Sequence, residues 1–198
     1  MNADADLNII KRRVYLTYFM DGLWDIALGL FLLAWGFTVW FDIAWLPGAI
    51  FILSFWLAFG LKQRITYPRV GYARPSETEK RTGKVLLAGT VILVAVVLGL
   101  QVLNISRFEF FKEYFEFLFG TSIVIAILIV AWWWRVLRWF LYAGMLFVFF
   151  ISDQWAGLSF SLSFLIPGAT VALCGLVILY RFIRTHKAVS EAELDAEG

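Results

Sequence analysis

One cysteine and one histidine are all the chain offers of the residues that most often carry metal or thiol chemistry. Cys174 lies inside an apolar run, so no disulfide can form within the chain, and the redox compartment stays open. His186 lies in a tail, and a mononuclear zinc centre of His and Cys ligands would be short of donors. Charge is also scarce, at 16% Asp, Glu, Lys and Arg where soluble domains carry about 25%. A formal net charge of +2 gives no footprint for a nucleic-acid partner. No Walker-type phosphate loop, zincin helix or Gly-x-Ser-x-Gly elbow is present, so no cofactor is expected. Polar intervals are too short to form a separate soluble domain.

What the chain has instead is apolar length. Hydrophobic residues make up 62%, aromatics 19%, and mean hydropathy is +0.80. Six apolar runs, at roughly 22–41, 44–61, 85–103, 117–134, 137–154 and 163–181, each approach the ~20 residues that a helix needs to cross a bilayer. The expectation is an all-α polytopic membrane protein of about six transmembrane helices. The fifth run is the shortest, because Arg138 and Asp153 bracket it. Residues 1–21 read as a cytoplasmic N-terminal segment with a basic cluster at Lys11, Arg12 and Arg13, lacking the basic start of a cleavable signal peptide. Residues 22–184 read as the membrane domain. Residues 185–198 read as an acidic cytoplasmic tail.

The basic residues are unevenly placed. With the N-terminus inside, 15 of the 17 Lys and Arg fall on the inner side, and only Arg107 and Lys112 fall outside. Short-loop basic residues set orientation, so both termini are expected in the cytoplasm of a prokaryotic cell. Seven of the 17 lie in one interval, Lys62 to Lys84. The outer segment from Arg107 to Phe119 alternates charged and aromatic residues at helical spacing, as an interfacial helix or an extension of the fourth span would. Tryptophans gather near the span ends as an aromatic belt, with Trp35 and Trp56 deeper.

Polar residues inside the runs are few, and none of the runs carries Asp, Glu, Lys or Arg at mid-depth. That argues against an ion or proton relay. The first span opens Asp21-Gly-Leu-Trp-Asp25, and Gly22, Gly29 and Gly36 share one face, suited to close helix packing. Two readings of the carboxylates stand side by side. Asp21 caps the helix with Asp25 in its first turn, or one of them pairs with a cation of the long loop, Arg64 or Arg69 being nearest the bilayer. In the loop, Pro68 is expected to hold Tyr67 extended, while Tyr67 and Tyr72 suit the interface and Arg69 suits a carboxylate or a lipid phosphate. Leu46-Pro-Gly-Ala and Ile166-Pro-Gly-Ala match at an offset of 120, each proline expected in the first turn of a span.

With its Asp21-Gly-Leu-Trp-Asp25 opening and the wording Ile65-Thr-Tyr-Pro-Arg-Val-Gly-Tyr72, the chain resembles a group of small prokaryotic multi-pass membrane proteins. They pair an Asp-Gly first span with a Thr-Tyr-Pro-Arg-x-Gly-Tyr cytoplasmic loop. The resemblance covers roughly residues 10–75 and implies fold and membrane placement, not a reaction. Three functions are open: a non-catalytic accessory or scaffold protein whose basic loop meets anionic lipid or a partner, a small channel or carrier for an uncharged or weakly polar solute, and a membrane enzyme using Asp21 and Asp25. The first is favoured. Expected partners are the bilayer, anionic lipid at the inner face, and a membrane protein or a second copy.

Overall fold

A glycine in the left-handed region starts the first described helix. Gly22 has φ 79°, and its carbonyl accepts the first helical bond from Ile26 N–H at 3.0 Å. From there α1 runs Leu23–Phe41, and α2 runs Leu46–Leu61 with Pro47 in its first turn. The helix does not stop at the last apolar residue. It continues through a π-helical turn, Lys62–Thr66, into α3, Tyr67–Val70. The remaining described helices are α4, Glu109–Trp134; α5, Leu137–Ala156; and α6, Phe160–Thr185. The structure is a computed structural model that describes residues 20–43, 45–70 and 109–186. Among the described residues every regular element is helical, and five helices are long and apolar enough to cross a membrane. The expected 85–103 span lies outside the described residues.

The described residues fall into two units, 20–70 with 161–186, and 109–160. In the first unit α1 and α2 form an antiparallel hairpin. Asp42 closes α1 in the left-handed conformation (φ 55°), and Ile43 N–H reaches back to Thr38 O at 3.3 Å. That is the Schellman arrangement, which satisfies carbonyls a helix end otherwise leaves unpaired. Aromatic rings fill the α1–α2 seam: Trp24 meets Phe55 and Phe59 at 5.4 and 5.6 Å, and Phe31 meets Phe51 at 5.4 Å.

Against its other face α1 packs antiparallel to α6 at backbone contact. A side chain at Gly22 would strike Gly175 O, one at Gly29 would strike Ala172, and one at Gly36 would come within 2.6 Å of Leu165. From the α6 side, Gly168 meets Leu33 N at 2.8 Å and Gly175 meets Ile26 N at 2.7 Å by the same measure. In lipid, helices gain little from burying apolar surface, so close backbone approach with dense dispersion contact is what holds them. Ser161 Oγ adds a buried hydrogen bond to Gly36 O at 2.8 Å.

In the second unit α4 and α5 form another antiparallel hairpin through two residues, Arg135 and Val136. Trp134 meets Trp139 near the turn, and Gly120 leaves room for the ring of Phe150 near the far end. The segment from Glu109 continues into α4 as one helix, the second of its two expected forms. The expected fifth run is α5, 20 residues long, which takes Arg138 into its first turn and Asp153 into its last.

Two local expectations are corrected. Tyr67 is helical (φ −60°, ψ −44°), not extended. In an α-helix the Pro68 ring would press on the carbonyl four residues back, and the wider π turn just before it relieves that crowding. Pro167 lies inside α6, not in its first turn, because the helix starts at Phe160. Its missing N–H costs one helical bond to Ser163 O, which lipid alone could not replace. The two Pro-Gly-Ala copies also differ in surroundings. Gly48 faces open space, whereas Gly168 is pressed against α1.

Candidate functional site

The polar residues of the first unit converge where α1 begins and the α2 helix runs past its apolar length. Asp21 precedes the left-handed Gly22, and its Oδ1 accepts Leu23 N–H at 3.1 Å. This short loop satisfies one of the amides that a helix start leaves unpaired. Its other oxygen, Oδ2, accepts Thr66 Oγ1–H at 2.8 Å and lies 2.8 Å from Lys62 Nζ. Asp21, Lys62 and Thr66 are all 0% exposed. One carboxylate thus takes a backbone donor from its own helix and two side-chain donors from the neighbouring helix.

Lys62 enters this position through the π turn, whose wide bond runs from Tyr67 N–H to Lys62 O. Such turns recur at functional places in helices. Its ammonium also lies 5.6 Å from the centre of the Trp24 ring, a cation–π distance. A lysine at the end of a span usually lifts its charged head towards the headgroups. Here the head turns inward to Asp21, on the side where the Trp24 ring lies.

The other residues singled out in the sequence divide between this site and its rim. Asp25, one turn into α1, is fully buried, with its Cβ beside Gly175. Arg64 is exposed. Arg69 donates from Nη1 to Ile65 O at 2.7 Å, within its own helical stretch. Tyr67 is half-buried, and Tyr72 lies outside the described residues. The cation on Asp21 is therefore Lys62, with neither arginine in that place. Gly22, Gly29 and Gly36 face α6, as given above. Of the two deep tryptophans, Trp35 stacks on Phe164 at 6.2 Å, and Trp56 is 75% exposed.

Sequence reasoning passed over Lys62 and Thr66 because hydropathy ends the span at Leu61 and counts every later cation as loop. A usable signal was present: the two are four apart, on one face of any helix that continues. Gly168 and Gly175, spaced by seven like the glycines of α1, were equally legible as a packing face.

Beyond the site, at the same end of the first unit, Arg64, Arg181 and Arg184 are exposed, and Arg184 lies 4.8 Å over the Tyr180 ring. At the opposite end the described ionisable residue is Asp42, beside exposed Trp40, Phe41 and Trp45. The arrangement defines an all-helical chain with five helices long and apolar enough to cross a membrane, an exterior rich in exposed Leu, Ile, Phe and Trp, and a sealed ion pair at one helix end. Compared with protein-family models, curated proteins and solved structures, the chain matches none.

Proposed function

We propose that this is a six-span protein of a prokaryotic cytoplasmic membrane, with both termini inside, that serves as a non-catalytic accessory or scaffold. Its cytoplasmic basic surface meets anionic lipid or a protein partner. The observation that carries this reading is the division of charge at one end of the first unit. Asp21 and Lys62 neutralise each other at 2.8 Å, out of contact with solvent, while Arg64, Arg181 and Arg184 just beyond stand exposed. The buried groups hold helices together. The exposed ones, with the remaining cations of the Lys62 to Lys84 interval, are left to face phosphates or an acidic partner.

The count of six adds the 85–103 run, which in the sequence is apolar and near the ~20 residues a crossing needs, to the five apolar helices. Within the first unit α1 runs opposite to both α2 and α6, so Arg64, Arg181 and Arg184 fall at one end of that unit. This reading puts them with the basic majority on the inner side.

A carrier or enzyme draws less support. Every donor described at Asp21 is already engaged in holding α1 and α2, and α1 meets α6 at glycine backbone with no width for a solute between them. The test is purification of the full chain from its own membrane, with mass spectrometry of what accompanies it, beside a variant with Arg64, Lys80, Arg81 and Lys84 changed to Gln. The scaffold reading expects a lipid or protein present in fixed ratio to the chain and lost from the variant. Solute flux into proteoliposomes that Asp21→Asn abolishes without unfolding the protein would refute it.

A further inference from the structure

The second unit carries a feature that the basic surface does not use. On the outside of the α4–α5 hairpin, Ile125, Leu128, Ile129, Trp132, Trp133 and Phe140 line a shallow apolar groove of about 410 Å³. The α4 residues follow one another at three- and four-residue steps, so the groove runs along the helix towards the hairpin turn. At that turn stands Arg135, exposed, with φ 53°. Its backbone completes a Schellman motif: Arg135 N–H reaches Trp132 O and Val136 N–H reaches Ala131 O, each at 3.2 Å. Glycine is the usual residue at this left-handed position, and an arginine there is held against a steric cost. Arg138, three residues on, is half-buried and already engaged. Arg135 is thus the exposed cation at the polar end of an aromatic, apolar channel.

We infer that this groove is a binding site for one anionic phospholipid, an acyl chain lying along Ile125, Leu128 and Ile129 and the phosphate meeting the Arg135 guanidinium. Trp132, 78% exposed, and Trp133 flank the level where chain gives way to headgroup, the depth that tryptophan prefers. An arginine offers a phosphate two parallel N–H donors, and a glycine in its place would offer none. The inference rests on the membrane placement proposed above but not on the basic surface of the first unit.

The experiment titrates detergent-purified full-length protein with dioleoyl phosphatidylglycerol or dioleoyl phosphatidylcholine and reads the bound lipid by native mass spectrometry. The tightest-held lipid should favour phosphatidylglycerol about fivefold, the weight of one arginine at a membrane surface. Arg135→Gly, which suits the turn and keeps the hairpin folded, should abolish that preference and still bind both lipids. Leu128→Trp, which fills the groove, should lower retention of both. An Arg64→Gln, Arg181→Gln, Arg184→Gln variant should keep the preference. Equal retention of the two lipids by the unaltered protein overturns the site, as does a preference that survives Arg135→Gly or a retention that Leu128→Trp leaves unchanged. If the triple variant loses the preference and Arg135→Gly keeps it, the lipid belongs to the basic surface: the groove proposal then falls and the scaffold reading stands.

Discussion

Removing either partner of the Asp21–Lys62 pair should cost far more than removing both. At 2.8 Å, with an effective dielectric constant near 20, the attraction between the two charges is about 6 kcal/mol. Desolvating each ion costs several kcal/mol, so the intact pair contributes little net stability. The arithmetic changes when one partner is deleted, because the attraction vanishes and the desolvation of the survivor remains. Lys62→Met leaves the Asp21 carboxylate in a fully buried place with Thr66 and Leu23 N–H as its remaining described donors. Asp21→Asn leaves the Lys62 ammonium against Trp24 with an amide oxygen in place of a charge. Each should destabilise by about 3–5 kcal/mol.

The double variant Asp21→Asn, Lys62→Met has no stranded charge. The asparagine amide keeps an acceptor for Leu23 N–H or Thr66, and the methionine keeps most of the volume of the lysine stem. Its cost should be about 1–2 kcal/mol, which makes the coupling between the two positions about 4 kcal/mol or more. The assay is reversible unfolding of the full chain in mixed micelles, followed by circular dichroism as the denaturing detergent is raised. Arg64→Gln serves as the control, an exposed cation two residues from Lys62, and should change stability by no more than about 0.5 kcal/mol. Single losses that add within about 0.5 kcal/mol would refute the reasoning, since independent sites behave so. So would an Arg64→Gln loss matching that of Lys62→Met.

Three further outcomes are expected. Thr66→Val keeps the shape but removes a 2.8 Å hydrogen bond to a buried carboxylate, and should lower stability by about 1.5–3 kcal/mol in the same unfolding assay. Gly29→Ala, whose new methyl meets Ala172 backbone, should cost about 1–3 kcal/mol, whereas Gly48→Ala, which meets nothing within 4 Å, should be neutral or stabilise by up to about 1 kcal/mol. Equal responses at the two glycines would show that α1 and α6 do not pack at backbone contact. Single cysteines placed at Ser76 and Glu113, in a chain whose Cys174 is changed to Ala, should react with an impermeant maleimide from opposite faces of the membrane; labelling from one face would remove the six-span topology.

The sequence made some of this arrangement legible and hid the rest for reasons that can be named. Helical class and approximate span positions follow from apolar run length, since a bilayer leaves few other ways to satisfy a backbone. The glycine face of α1 could be read because packing at that distance needs a missing side chain at regular spacing. Its partner could not, since spacing says which face is flat and not what lies against it. Lys62 was hidden by the habit of ending a helix where hydropathy ends. Lysine has a long apolar stem, and a buried acceptor on the adjacent helix can hold it inside. Pro68 misled in another way: the residue before proline disfavours the α conformation without being barred from it, and Tyr67 takes that conformation where the π turn ends.

The ion pair and the hairpin turn together explain why the α2 helix outlasts its apolar run. At one end α1 and α2 are joined by a connection closed at Asp42. Without a second fastening, the far end would be held by ring contacts between Trp24, Phe55 and Phe59, which tolerate sliding because every ring presents a similar face. A charge pair does not tolerate it. A shift of one helical turn moves a side chain by about 5.4 Å along the axis, enough to separate Lys62 from Asp21 and leave two buried charges uncompensated. The pair therefore fixes register more than it adds stability, a role that buried polar groups fill in some helical assemblies. It also fixes where the chain leaves the helix. With Lys62 and Thr66 drawn inward, Arg64 between them is turned out, and the polar interval that follows departs from a defined point at the rim. In the Asp21→Asn, Lys62→Met variant the hairpin should survive while the stretch from Lys62 to Val70 loses its anchor, and amide exchange should rise there with α1 unchanged. Uniform protection across both segments would mean that the aromatic seam alone sets the register.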